Sequence, residues 1–269
     1  MIGVFDSGYG GLTVLKQILA RLPQYDYLYL GDNARAPYGS RSFDVVYEFT
    51  REAVERLFDM GCPLVILACN TASAKALRTI QQIDLPRIDP SRRVLGVIRP
   101  TVEVLGSLTK TRHVGIFATT GTVLSKSYSL EIEKFYPDIT VTEQACPLWV
   151  PLIENGEHNN PGADYFVHKY IDELCTTDPQ IDTIILGCTH YPLLEQKIRT
   201  YLPDHIHLLS QGSYVANSLA AYLQRHSELE ARLSQNAKRQ FYTTESLERF
   251  CALASPFLGQ PIQATRIQL

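Results

Sequence analysis

Leu64-Val65-Ile66-Leu67-Ala68-Cys69-Asn70-Thr71 decides the fold, because it returns as Thr183-Ile184-Ile185-Leu186-Gly187-Cys188-Thr189-His190. Both stretches are apolar on consecutive rather than alternate residues, the pattern of a strand covered on both faces. Both end in a cysteine followed by polar residues. The likeness extends outward: Ile2-Gly3-Val4-Phe5-Asp6-Ser7 precedes the first and Val114-Gly115-Ile116-Phe117-Ala118-Thr119 the second. Further apolar runs at 27–30, 94–98, 139–142 and 206–209 complete two sets of four. Amphipathic stretches separate them, such as 43–60, where Val46, Phe49, Ala53, Leu57 and Met60 recur at helical spacing. Strands alternating with helices predict crossover connections and parallel pairing. The repeat therefore predicts an α/β protein of two pseudo-symmetric parallel-sheet domains facing each other across a central cleft.

The 269 residues amount to nearly two domains at the usual ~150 each. The second set of strands is complete by Leu209. The tail, with a helical pattern at Val215, Leu219, Tyr222 and Leu223 and a run at Phe241-Tyr242-Thr243, is read as returning to the first domain. The expected division is 1–98 plus 210–269 for the first domain and 99–209 for the second. The net charge of −3 leaves no electrostatic footprint for nucleic acid or an anionic membrane. No apolar run approaches the ~18 residues of a membrane span. The N-terminal run meets Asp6 at once, unlike a secretory signal. A cytoplasmic protein with neither nucleic-acid nor membrane partners is expected. Six cysteines are present, none in CxxC or CxxH spacing, so no metal site is expected and free thiols are the default.

In open parallel sheets, ligands bind beyond the carboxyl ends of the strands. Asp6-Ser7-Gly8-Tyr9-Gly10-Gly11 follows the first strand and leads into a helix. Its glycines and the helix N-terminus suit an anion such as a carboxylate, and equally suit a plain strand-to-helix turn. A dinucleotide fingerprint fails, because Thr13 stands at the third glycine position. The loop 31–40 brings the Tyr38 hydroxyl toward the cleft, unless it is only a surface turn. Cys69 and Cys188 carry more weight. Each ends a buried strand as the next helix begins, where a helix N-terminus lowers the ordinary thiol value of ~8.5 and brings thiol and thiolate within reach near neutral pH. Cys62, Cys146, Cys175 and Cys251 lack that setting and are read as packing residues. A redox dithiol is an alternative, though such pairs sit close in sequence. Two equivalent acid/base groups on opposite sides of one carbon suit stereoinversion, one removing a proton while the other delivers one.

These residues resemble the cofactor-independent glutamate racemases of the aspartate/glutamate racemase superfamily. The motifs are Phe5-Asp6-Ser7-Gly8-x-Gly10-Gly11-Leu12-Thr13-Val14, Tyr38-Gly39, Ala68-Cys69-Asn70-Thr71-Ala72 and Gly187-Cys188-Thr189-His190-Tyr191-Pro192-Leu193-Leu194. Cys146-Pro147-Leu148-x-Val150-Pro151-Leu152-Ile153-Glu154 is similar to the stretch ahead of the second cysteine. The resemblance implies interconversion of L- and D-glutamate without pyridoxal phosphate, feeding peptidoglycan synthesis. It implies Cys69 acting on D-glutamate and Cys188 on L-glutamate, with Asp6, His190 and Glu154 assisting proton transfer. It implies substrate contacts from Asp6, Ser7, Tyr38, Gly39, Asn70, Thr71, Thr119, Thr189 and His190, no cofactor, and a homodimer as the common assembly. Arg99-Pro100-Thr101 departs from the familiar acidic-Pro-Gly, and Ala118 replaces a usual glycine. The chain starts at its first strand, so activation through an N-terminal extension is not expected. Aspartate or another small dicarboxylate is the competing substrate, and an inactive ligand-binding α/β protein the competing class.

Overall fold

The computed structural model describes all 269 residues, Met1–Leu269. The apolar runs pair as two all-parallel sheets. In the first, β1 (Ile2–Asp6), β2 (Tyr27–Gly31), β3 (Leu64–Leu67) and β4 (Arg93–Gly96) lie in the order β2-β1-β3-β4. In the second, β5 (His113–Ala118), β6 (Thr140–Ala145), β7 (Thr183–Gly187) and β8 (His207–Leu209) lie in the order β6-β5-β7-β8. The two orders coincide, and so does the register. Phe5 pairs with Leu67, and Phe117 pairs with Leu186. β9 (Arg239–Thr243) and β10 (Thr265–Arg266) extend the first sheet beyond β2, also in parallel.

Parallel pairing requires crossovers, and the sequence supplies them as helices. Those that bear on the cleft are α1 (Gly11–Arg21), α2 (Phe43–Asp59), α3 (Asn70–Lys75), α4 (Thr120–Ser125), α5 (Ser127–Phe135), α6 (Trp149–Glu154), α7 (Pro161–Thr177), α8 (Gly212–Arg225) and α9 (Leu247–Leu258). α2 starts where Ser42 Oγ accepts from the Val45 amide at 3.4 Å. It stops one residue short of the apolar pattern, because Met60 is the cap and Gly61 turns the chain at φ +86°.

β6 differs from expectation. It runs through Glu143 and Gln144 to Ala145, past the predicted end at 142. As the outer strand of its sheet it is only partly buried, so its polar residues are tolerated and its apolar signal is diluted. β10, two exposed residues long, has no apolar signature at all.

One apolar cluster of 46 buried residues takes Ile2 and Val4 from the first sheet and Phe117 and Ile184 from the second, so the lobes share a core. α8 packs along α1, and Leu12, Leu15, Val215 and Leu219 all belong to this cluster. Trp149 is its largest fully buried side chain. Its ring lies 4.9 Å from Phe117 and 4.8 Å from Tyr191, and its indole N–H donates to the Phe166 carbonyl at 3.3 Å. No helix is long and apolar enough to cross a membrane. Trp149→Ala is expected to lower stability by about 3–5 kcal/mol, measured by urea unfolding. A loss below about 1 kcal/mol would show that the cluster does not lean on this ring.

Candidate active site

A cavity of about 160 Å³ lies between the carboxyl ends of the two sheets. That is well under the ~300–1,000 Å³ of drug-sized pockets, so its ligand is small. Cys69 and Cys188 are both on its wall, with Ser7, Tyr38, Gly39, Asn70, Thr71, Thr119, Glu154, Thr189 and His190. Asp6 alone of the expected site residues is not on the wall; it is completely buried. No lysine or arginine lines the cavity, so amides, hydroxyls and the His190 ring are the groups that can meet a carboxylate. Ala36, Pro37, Ser40, Thr120, Cys146, Pro147, Val150 and Pro151 also line it and were not singled out. Most carry no reactive group and left no chemical signal, although four of them fall in the quoted 146–154 motif. Cys146 both packs in the core and faces the cavity, with burial raising its thiol.

Cys69 caps α3 in extended conformation (φ −64°, ψ 122°), and the Ala72 amide donates to its sulfur at 3.4 Å. The thiol in turn reaches Ser7 Oγ at 3.5 Å. The expected easy thiolate is corrected here. Burial first, then the neighbouring Asp6 charge, push the thiol up to about 12 despite those two hydrogen bonds. A six-residue helix and one hydroxyl do not replace the water lost. Cys69 therefore rests as a neutral thiol, a proton donor.

The glycine loop also has a different role from the expected one. Asp6 Oδ2 accepts from the Gly8 amide at 2.8 Å, and Thr189 Oγ1 donates to Oδ1 at 3.4 Å. The acidic group at the start of α1 is thus the chain's own Asp6 carboxyl. Burial raises the Asp6 carboxyl, opposed by the His190 charge and the Gly8 and Gly11 amides. A Cβ on Gly10 would overlap Thr189 Oγ1 and the His190 ring, so this glycine admits the opposite lobe rather than a ligand. Thr13 Oγ1 secures the approach by donating to the Thr189 carbonyl at 2.9 Å.

Cys188 is not at a helix start, a second correction. Pro192 disfavours helical backbone at Tyr191, and a short 3-10 turn, Tyr191–Leu194, precedes the next α-helix. The local partner is instead His190, whose Nδ1 stands 3.9 Å from Cys188 Sγ and whose Nε2 stands 2.9 Å from Glu154 Oε1 at the end of α6. The ring is buried and set edge-on to Phe257 of α9, 5.3 Å between centroids. Burial works against an imidazolium, but hydrogen bonds to Cys188 and Glu154 and their negative charge outweigh it, lifting His190 to about 10. The shared register places Asp6 opposite Ala118 in the repeat, and His190 opposite Thr71. The two thiols are equivalent in the fold and unequal in their electrostatics.

Two expected substrate donors are already engaged, Tyr38 fully and Asn70 in part. The Tyr38 hydroxyl donates to buried Asp32, which also takes Arg35 Nε at 2.6 Å, so Tyr38 contributes to the wall without a free hydroxyl. The Asn70 amide bonds to Gln211 and Tyr128. Across the cleft, the Gly39 carbonyl accepts from the Gly121 amide at 2.7 Å, and Thr71 Oγ1 meets Thr119 Oγ1 at 2.9 Å.

Fold and site together define a two-lobed α/β isomerase with one thiol from each lobe at a shared cavity. A family model described as Asp/Glu/Hydantoin racemase matches residues 2–216. The chain belongs to that family. It is 40% identical over 271 residues to a glutamate racemase of Ruegeria sp. (strain TM1040), covering 97% of each chain. A crystal structure of a glutamate racemase isoform from Bacillus anthracis superimposes with a TM-score of 0.90 at 34% identity, covering 100% of this chain and 97% of that one. The Francisella tularensis glutamate racemase, solved in complex with D-glutamate, gives 0.87 at 32% identity over 100% and 96%.

His190 is held above its ordinary value of 6.5, so its contribution to stability is full below about pH 6.5 and lost as the pH rises through about 10. An NMR titration of its imidazole is expected to show a midpoint near 10, moving toward 6.5 in Glu154→Gln. A midpoint near 6.5 in the unaltered protein would contradict the charged pair.

Proposed function

We propose that this chain is a glutamate racemase that inverts the α-carbon of glutamate by two-thiol proton transfer, without pyridoxal phosphate. The observation that carries the reading is the placement of Cys69 and Cys188, at equivalent positions of the two lobes, on the wall of one small cavity. The relatives named glutamate racemase support glutamate as the substrate.

In the L-to-D direction the Cys188 thiolate takes the α-proton of L-glutamate. The electron pair left on the α-carbon accepts the Cys69 proton on the opposite face. One S–H bond forms as the other breaks, and the reverse reaction exchanges the roles. The His190 imidazolium, 3.9 Å away and held by Glu154, meets negative charge on the Cys188 sulfur. Asp6 acts behind Cys69. Ser7, Gly39, Asn70, Thr71, Thr119 and Thr189 hold the substrate, with Tyr38 shaping the wall through its buried link to Asp32. Hydroxyl and amide donors suit carboxylates where no lysine or arginine is at hand. The reading places the protein in the cytoplasm, supplying D-glutamate for peptidoglycan and hence cell-wall shape. A homodimer rests on the resemblance alone.

Incubation with L-glutamate in deuterated water, no cofactor added, is expected to give loss of optical rotation with deuterium at the α-carbon. Rotation lost with L-aspartate instead would replace the substrate, and no exchange with either would end the enzyme reading. Cys69→Ala and Cys188→Ala are each expected to lower kcat by about 10²–10⁴-fold, the usual range for a positioned acid or base. Near-full activity in either variant would refute the two-thiol mechanism.

A further inference from the structure

Three buried side chains close a ring of hydrogen bonds across the two lobes. Asn70 Nδ2 donates to Gln211 Oε1 at 2.8 Å, Gln211 Nε2 donates to the Tyr128 hydroxyl at 2.6 Å, and that hydroxyl donates to Asn70 Oδ1 at 2.7 Å. Asn70 starts α3 immediately after Cys69, Tyr128 lies on α5, and Gln211 directly precedes α8. None of the three is more than 3% exposed. Gln211 Nε2 is further held by Thr101 Oγ1 at 3.0 Å and by the Val97 carbonyl at 3.4 Å. Thr101 is the residue standing where the resembled pattern carries glycine, so this departure ends on the ring. The proton transfer uses neither Gln211 nor Tyr128.

All donors in the ring run in the same sense. Turning over the Asn70 amide would set its N–H₂ against the Tyr128 hydroxyl and its carbonyl against the Gln211 carbonyl, leaving buried groups unpaired. An unpaired buried amide or hydroxyl costs about 1–3 kcal/mol, so each amide has one stable orientation. Asn70 is also on the cavity wall. Its oxygen is taken by Tyr128 and one of its two N–H bonds by Gln211. The other N–H remains for the cavity.

We infer that Tyr128 and Gln211 are positioning residues that fix Asn70 so that it presents an N–H, never its carbonyl, to a carboxylate oxygen of the substrate. This deepens the racemase reading and rests on it for the nature of the ligand. The ring supplies a donor where the wall has no lysine or arginine, and a carboxylate is the group that such a donor favours over a carboxamide nitrogen. Because Tyr128 comes from the second lobe, the donor is correctly aimed only when the lobes are together.

The test uses Tyr128→Phe and Gln211→Met, which remove ring bonds and keep bulk. In both, KM for glutamate is expected to rise about tenfold, the range of one hydrogen bond to a charged group, with kcat within about twofold and Tm lowered by several degrees for the buried partners left unpaired. Unchanged KM in a folded variant, or a fall in kcat alone, would overturn the inference. Should both variants fail to fold, the unaltered protein decides. The side-chain amide of Asn70, labelled with 15N and identified by its loss in Asn70→Asp, should show one hydrogen protected from exchange and one that shifts on adding glutamate. Two unprotected hydrogens would refute the ring whether or not glutamate is turned over. A protected hydrogen without turnover of glutamate by the parent protein would keep the ring and refute the racemase reading.

Discussion

Parallel pairing of Phe5 with Leu67 and of Phe117 with Leu186 sets each cysteine two residues beyond a paired leucine, at the carboxyl edge of a central strand. The other features of the cleft follow from that register. A one-residue slip would turn every side chain of a strand to the opposite face, and with both faces buried neither strand can slip. The cleft is therefore framed by two rigid strand ends, and the chemistry sits on the turns that leave them. Ser7 and Thr119 follow the first strand of each lobe, and Asn70 and Thr189 follow each thiol.

Symmetry of the backbone does not carry over to charge. Cys69 shares its surroundings with Asp6, and burial of both favours their neutral forms. Cys188 shares its surroundings with His190 and Glu154, which hold a positive charge out of water by pairing it twice. Asp6 and His190 stand opposite Ala118 and Thr71 in the repeat, so the inequality comes from two substitutions within one inherited frame. Such a frame can keep a proton on one thiol and neutralise negative charge on the other.

The lobes are joined along the cleft by small polar contacts: Gly121 to Gly39, Thr71 to Thr119, Ser127 to Ala74, and Thr13 to Thr189. Each is worth about 0.5–1.5 kcal/mol net, enough to define a closed arrangement without making it permanent. The larger shared core includes Trp149 and the stacking of Tyr9 with Phe250 and Phe257.

The succession of strands along the chain, the repeat and the two thiols were legible because each is encoded locally, by short apolar runs that end in the same few residues. Most of the wall residues were legible for the same reason, since they follow those runs directly. What the local pattern could not show is visible at particular residues. The Tyr38 hydroxyl is taken by Asp32, the glycine loop is filled by Thr189 and His190, and β6 continues past its apolar start into Glu143 and Gln144. Gln211 and Tyr128 carry no motif, and meet Asn70 only after 141 and 58 residues of intervening fold. By itself the sequence determined which residues end up at the strand ends, because hydrophobic periodicity and turn chemistry act over a few neighbours. Only the tertiary structure decided which of those residues keeps its proton, which hydroxyl is already spent and which way an amide points. Burial, charge and hydrogen bonding depend on groups brought together from distant parts of the chain.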